Sequence, residues 1–305
     1  MAADETRANL ERVLAALTAG EQDQPAAPPS DCAAPARAER SDAPQDNPAT
    51  LLYQAKIDIK QRCLAGAEVL MRQNGDAGGA LMPLGASGQR GDDEIARLIE
   101  QALVTTLRDW TIFEEAGFNL RASINVPVHL LDRLPIADIV AQHRPKAESW
   151  PGLIVEVAED QIARDISRSV AIAEKLRGSG IAIAIDDFGA GYSSFASLRE
   201  LAFAELKLNS SFVRGCAGDP TNAAICQTAI DLAHRFGSAA VAEGIETVAD
   251  LQAMQIMGCD LAQGALIAPP LTRDDFLALL RQRMNKGRPP GPARAAEEPP
   301  AAASA

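Results

Sequence analysis

The sequence predicts an α/β fold in which strand and helix units close into a TIM-like (β/α)8 barrel, and three observations lead there. Short, nearly continuous apolar segments alternate with amphipathic stretches of helical length, the pattern of a parallel sheet covered on its outer face. Eight such apolar segments can be read along the chain. The stretch that holds them, residues 51–284, approaches the roughly 250 residues such a barrel needs.

Taken in order, the chain opens on an Ala-rich segment. There "ETRANLERVLAALTAG" sets Leu10, Val13, Leu14 and Leu17 on one helical face and stops at Gly20. A short amphipathic helix near 5–20 is expected, docking on the domain itself or on a partner. Residues 21–50 are rich in Ala, Pro, Asp and Gln, with almost no large apolar side chain to repay the entropy of ordering. The tail 285–305, "NKGRPPGPARAAEEPPAAASA", has the same character, so residues 1–50 and 285–305 are expected to be largely disordered around the barrel domain.

Strands are expected at "LLYQAKI" (51–57), "CLAGAEVLM" (63–71), "LRASINV" (120–126) and "GLIVEVAE" (152–159), then at "IAIAIDD" (181–187), "FAELKLN" (203–209), "SAAVAEG" (238–244) and "CDLAQGALI" (259–267). Between them "DEIARLIEQALVTTLRDW", "QIARDISRSVAIAEKLRGSG", "NAAICQTAIDLAHRFG" and "VADLQAMQIMGC" carry apolar residues at helical spacing, mostly with a terminating glycine. The rival fold, an open doubly wound sheet, lacks its usual glycine-rich loop after the first strand.

Composition excludes several function classes. A formal net charge of −12 argues against a broad phosphate-contacting face for long nucleic acid. No apolar run is long enough to insert into a membrane, and the N-terminus lacks a signal layout. Five scattered cysteines form neither a disulfide framework nor a zinc motif, which fits a cytoplasmic protein.

The informative feature is where polar residues interrupt the strands. Glu68, Asn125, Glu156, Asp186, Asp187, Lys207, Glu243 and Gln263 each fall near the C-terminal end of a strand. In a parallel barrel those ends open on one mouth. Carboxylates gathered there would repel one another unless cations neutralised them. Oxygen donors without His or Cys suit hard ions such as Mg²⁺ or Mn²⁺, and adjacent aspartates can serve two ions. Gly189 and Gly191 let the following backbone turn sharply or move beside such a site. Singly, each residue also reads as a helix cap, a turn residue or a rim salt bridge. His129, His143 and His234 have no ligand spacing and read as surface or packing residues, while Trp110 and Trp150 read as core anchors.

With these residues in hand, residues 51–278 resemble the EAL-domain family of cyclic di-GMP phosphodiesterases. "EVL" within "AEVLMR" stands for the family's EAL tripeptide, and "SINV", "VEVAED", "IDDFGAGYSS", "ELKLNSSFVR", "VAEGIET" and "GCDLAQGALIAPPL" follow in the family's order. The resemblance implies a modified eight-stranded barrel that hydrolyses cyclic di-GMP to linear pGpG with two Mg²⁺ or Mn²⁺ ions, lowering the second messenger in bacterial signalling. By position, Glu68, Asn125, Glu156 and Asp186 would hold one ion, and Asp186, Asp187 and Glu243 the other. Lys207 would orient or help deprotonate the attacking water, with Glu243 and Glu68 completing the catalytic set. Arg72, Gln54 and Gln263 would meet substrate or its water, Glu159 would anchor the loop after Asp187, and Glu246 would support the site from behind. A homodimer formed beside that loop is also implied.

Departures from the family pattern lie beside this set. Asn209 replaces an Asp, Ala158 a Thr, and the family's PxxFIxxAE segment has no counterpart after "ALMPLGASGQRGDD". Ala265 and Ile267 stand where aromatics are common, and Pro269 where Arg is frequent. These changes leave room for an alternative: a catalytically weak or inactive EAL-like receptor for cyclic di-GMP, or a module that binds a regulatory protein partner. A metal-assisted lyase or isomerase using Lys207 as base explains the acids but not the joined loop motifs.

Overall fold

Two strands running in opposite directions begin the architecture. β1 (Ala49–Asp58) turns through residues 59–62 into β2 (Cys63–Gln73), with Gln54 opposite Glu68 and Lys56 opposite Gly66. The computed structural model describes residues 49–73, 81–83, 91–189 and 198–284. The expected helix near 5–20, residues 1–48 and the tail 285–305 lie outside the described residues, as does 190–197, which holds most of the "GAGYSS" loop, whereas Ala49 and Thr50, expected to belong to the disordered end, already pair in β1.

β3 (Leu81–Pro83) pairs antiparallel with the end of β2. α1 (Asp92–Glu115) leads to β4 (Arg121–Asn125), followed by α2 (Val128–Leu131) and α3 (Ile136–His143). Then come β5 (Leu153–Ala158), α4 (Glu159–Arg164), α5 (Ile166–Arg177), β6 (Ile181–Phe188) and β7 (Glu205–Leu208). The chain continues through α6 (Ser210–Val213), α7 (Pro220–Arg235), β8 (Ala239–Ala242), α8 (Val248–Ile256), β9 (Leu261–Ala262) and α9 (Arg273–Met284). β2, β4, β5, β6, β7, β8 and β9 run parallel in that order, and β1 closes the ring between β9 and β2 while β3 stays outside it.

All eight sequence-read strands are present, but the all-parallel expectation fails at β1, which is antiparallel to both neighbours. The reason is the length of its connection. A turn as short as 59–62 can join only antiparallel strands, because a parallel crossover needs a dozen residues or more. The single helix expected over 161–180 is broken at Asp165, whose side chain accepts from Arg168 N at 3.1 Å and caps α5. α7 begins as its sequence dictates, with Pro220 in the first turn and Asp219 accepting from Thr221 N and Asn222 N.

The main apolar core lies between the barrel wall and the helices. Tyr53, Phe113 and Phe276 form an aromatic cluster with ring centroids 5.4–5.7 Å apart, joining β1 to α1 and α9. Burying each such side chain contributes about 1.5–3 kcal/mol. Trp110 is buried and donates its indole N–H to Leu120 O at 3.0 Å, the anchor expected of it, whereas Trp150 is half-buried beneath Arg144. His129 and His234 are surface residues paired with Asp92 and Asp260. No helix among the described residues is long and apolar enough to cross a membrane.

Candidate metal and catalytic site

The mouth is built by strand alternation. In paired strands, register partners share a face, so Asn125 and Glu156 point together into the barrel, as do Lys207 and Val241, and Gln54 and Glu68. Lys207 is the centre of the constellation. Its Nζ lies 2.6 Å from Glu156 Oε2, 2.7 Å from Glu243 Oε1, 2.9 Å from Asp186 Oδ1 and 3.3 Å from Glu68 Oε2. Asn125 Nδ2 donates to Glu68 Oε1 at 2.7 Å and to Glu156 Oε2 at 3.2 Å. Gln263 Nε2 donates to Glu68 Oε2 at 2.7 Å and to Glu243 Oε1 at 3.0 Å. Six side chains from six strands or strand ends thus converge around one lysine.

The adjacent aspartates reach the same place through a local irregularity. The β6–β7 register slips between Ile185 and Phe188, and Asp187 takes the left-handed conformation at φ 56°. Asp is one of the few side chains that tolerates this backbone. The slip sets Asp186, Asp187 and Glu243 so that one carboxylate oxygen of each lies within 4.8 Å of the others. Gly189, at φ 97°, follows after Phe188, and its N–H donates to buried Glu159 Oε2 at 2.9 Å.

Glycine also brings the β8 and β9 ends together. A Cβ on Gly264 would stand 2.3 Å from Ile245 N and O, so only glycine admits the approach that lets Gln263 reach Glu243.

The charges shape one another. Burial alone would raise the Glu156 carboxyl, but Lys207 and Lys56 outweigh it and hold the group well below the usual carboxylate range. Burial pushes Glu243 up to about 8 against the pull of Lys207, with Asp186 and Glu68 adding to the rise. Glu68 is raised by burial and then by Glu156, and Asp187 by burial and then by Asp186. Burial disfavours the Lys207 ammonium, yet Glu156, Glu243, Glu68 and Asp186 hold its value well above ordinary. Lys207 thus stands among these acids as a charged donor.

Two participants escaped the sequence reading. Lys56 Nζ ion-pairs with Glu156 Oε1 at 2.8 Å and Glu205 Oε2 at 3.0 Å, all three buried beneath the mouth. Their signal was available: Lys56 shares strand parity with Gln54, and Glu205 with Lys207, each a charge inside an apolar strand. Counting them, Glu68, Glu156, Asp186, Asp187, Glu205 and Glu243 face two ammonium groups. With all six ionised the excess would be four negative charges, which two divalent cations would offset while drawing the raised carboxyls into their charged form.

The donor set fits hard cations in a second way. Asp186 Oδ1 and Gln263 Oε1 are buried and accept no hydrogen bond, although the first lies at ion-pair distance from Lys207. Buried acceptors left so are expensive unless a cation or its water meets them.

Other expected residues sit further out. Arg72 is exposed at the rim, four residues beyond Glu68 on the same face of β2, and half-buried Gln54 faces Glu68 across the hairpin. Glu246 pairs with Arg214 at 3.1 Å, both substantially exposed. Ile267 is fully buried, so it belongs to the core and not to a substrate wall, whereas Ala265 is exposed. Asn209 donates to Asp187 Oδ1 at 2.9 Å while its Oδ1 accepts from Ser211 N at 2.8 Å, capping α6.

Fold and site define a class: an α/β barrel with one antiparallel strand and an acid-lined, oxygen-only mouth. The chain belongs to the EAL-domain family, whose profile, described as "EAL domain", matches residues 37–270. It is 32% identical over 243 residues to "Cyclic di-GMP phosphodiesterase PA2567" of Pseudomonas aeruginosa, covering 76% of this chain and 40% of that protein. It is 31% identical over 240 residues to "Bifunctional diguanylate cyclase/cyclic di-GMP phosphodiesterase MucR" of the same organism, covering 75% of this chain and 34% of that one. The solved structure "PaMucR Phosphodiesterase, c-di-GMP complex" superposes with a TM-score of 0.67 at 28% identity, covering 75% of this chain and 94% of that one. The chain spans less than half the length of these two curated relatives.

Proposed function

We propose that this chain hydrolyses one phosphodiester bond of cyclic di-GMP to give linear pGpG, lowering the second messenger, with two Mg²⁺ or Mn²⁺ ions at its mouth. The observation that carries the reading is the convergence of Glu68, Glu156, Asp186 and Glu243 on Lys207 Nζ within 3.3 Å. The names of the relatives supply the substrate.

Glu68, Asn125, Glu156 and Asp186 would hold one ion, and Asp186, Asp187 and Glu243 the other. Bound there, such ions supply Lewis acidity that activates water at neutral pH and offsets phosphate charge. The chain's own groups do the rest. The Lys207 ammonium would stabilise negative charge as it develops on the reacting phosphate. Gln263, fixed by Glu68 and Glu243 through its amide N–H₂, presents a buried Oε1 that can accept from water. Exposed Arg72 would meet phosphate or guanine together with Gln54, and Glu159 accepts from the backbone N–H of Gly189, which supports its role as anchor of the loop that follows. A cytoplasmic homodimer belongs to the same reading. Buried Cys216, Cys226 and Cys259 thiols suit a reducing compartment, and the dimer rests on the family resemblance.

The second reading is a receptor that binds cyclic di-GMP, or a partner protein, without turnover. It is favoured by Asn209, whose amide engages Asp187 Oδ1 where the family pattern has a carboxylate. The test is incubation of purified protein with cyclic di-GMP and Mn²⁺, followed by chromatography. Appearance of pGpG that Glu68→Ala abolishes supports hydrolysis; binding without product supports the receptor.

A further inference from the structure

We propose that Lys56 is a positioning residue: held by Glu205, it engages Glu156 Oε1 and thereby commits Oε2 as the single oxygen Glu156 offers the cations. This rests on the metal-dependent reading above and adds a role that the sequence motifs do not assign.

The geometry is specific. Glu156 is 1% exposed, and its two oxygens have separate partners. Oε1 meets Lys56 Nζ at 2.8 Å, whereas Oε2 meets Lys207 Nζ at 2.6 Å and Asn125 Nδ2 at 3.2 Å. Turning the carboxylate would break contacts on both sides. Lys56 is itself 2% exposed and held by Glu205 Oε2 at 3.0 Å, so its ammonium has a fixed seat.

The seat depends on the antiparallel strand. β1 places Gln54 opposite Glu68 and Lys56 opposite Gly66, one interior layer below the mouth. Gly66 has no side chain to compete for that interior, and a Cβ there would stand 2.5 Å from Arg121 O. Ala184, the register partner of Glu156 on β6, leaves the next position open as well. Groups that orient a ligating carboxylate without touching the ion commonly change metal affinity 10–100-fold when removed.

The informative variant is the double substitution Lys56→Met with Glu205→Gln. It removes one charge of each sign, keeps net charge and side-chain size, and leaves every proposed ligand in place. Mn²⁺ binding to the full chain without substrate is followed by electron paramagnetic resonance, together with the unfolding midpoint in chelator. The expected result is a Mn²⁺ dissociation constant raised roughly 10–100-fold; the chelator midpoint falls as well, because Glu156 Oε1 loses its donor, and a single cooperative transition shows that the variant is folded. Wild-type protein that binds Mn²⁺ beside a double variant that binds it equally well would overturn the positioning role. Wild-type protein that binds no Mn²⁺ would instead overturn the metal reading itself. If the double variant does not fold, Lys56→Gln, which retains a donor for Glu205, is read in the same way. A threefold or greater weakening supports the role, and an unchanged constant overturns it.

Discussion

Replacing Asn209 by Asp isolates one electrostatic contact of the mouth. Asn209 Nδ2 donates to Asp187 Oδ1 at 2.9 Å, and the other amide atom caps α6 through Ser211 N. Asp serves equally well as a helix cap, so the variant keeps α6 and changes only the charge facing Asp187. Two carboxylate oxygens at that 2.9 Å separation repel by about 1.4 kcal/mol at the dielectric of water and about 6 kcal/mol at an effective value of 20. Asp187 is exposed, which favours the low end. In chelator the Asn209→Asp midpoint should therefore fall by about 3–6 °C, given roughly 2–4 °C per kcal/mol for a domain of this size. A divalent cation reverses the sign, because it is attracted by the carboxylate that was destabilising. Mn²⁺ affinity should rise about tenfold, the equivalent of ~1.4 kcal/mol. The assay is thermal unfolding with and without Mn²⁺, paired with direct Mn²⁺ titration. An unchanged midpoint in chelator together with unchanged affinity would refute the placement of Asp187 beside a cation.

Two further outcomes follow from the same geometry. Burial alone would raise the Asp260 carboxyl, but Lys60, the Ala240 N–H and His234 hold it below its ordinary value. A carboxyl depressed in the folded state contributes stability above its unfolded value of about 3.9 and loses it as pH falls through the folded value. Asp260→Asn should lower the midpoint at pH 7 by about 2–4 °C, with the difference shrinking as pH approaches 3 in a series of melting curves. Gly264→Ala would force a Cβ to within 2.3 Å of Ile245 N and O, so the β8 end must retreat from β9. The expected result is a loss of several kcal/mol in urea unfolding and weakened Mn²⁺ binding as Gln263 leaves Glu243; wild-type behaviour would contradict that packing.

Much of this was legible in the sequence because strand alternation is local. Glu68, Asn125, Glu156, Lys207 and Glu243 each follow a short apolar run, and the run alone predicts both the strand and the end at which the polar group emerges. What alternation does not carry is direction, register and backbone sign. The reversal of β1 was signalled only by the brevity of residues 59–62, and that reversal is what carries Lys56 beneath Glu156. The slip at Asp186–Asp187 arises from pairing with β7, a neighbour set by tertiary structure. Glu205 and Lys56 lie one layer below the strand ends, where a charge inside an apolar strand carries no motif of its own. Ile267, which stands where the family pattern commonly has an aromatic, has a fully buried side chain, a depth that the motif alone does not carry.

The central claim is that these acids share a pair of cations, and Mn²⁺ stoichiometry by electron paramagnetic resonance tests it most directly. The account predicts two Mn²⁺ per chain with a spin-coupled signal that disappears in Glu68→Ala and Asp186→Asn. Uncoupled Mn²⁺ at one ion or fewer per chain would contradict it.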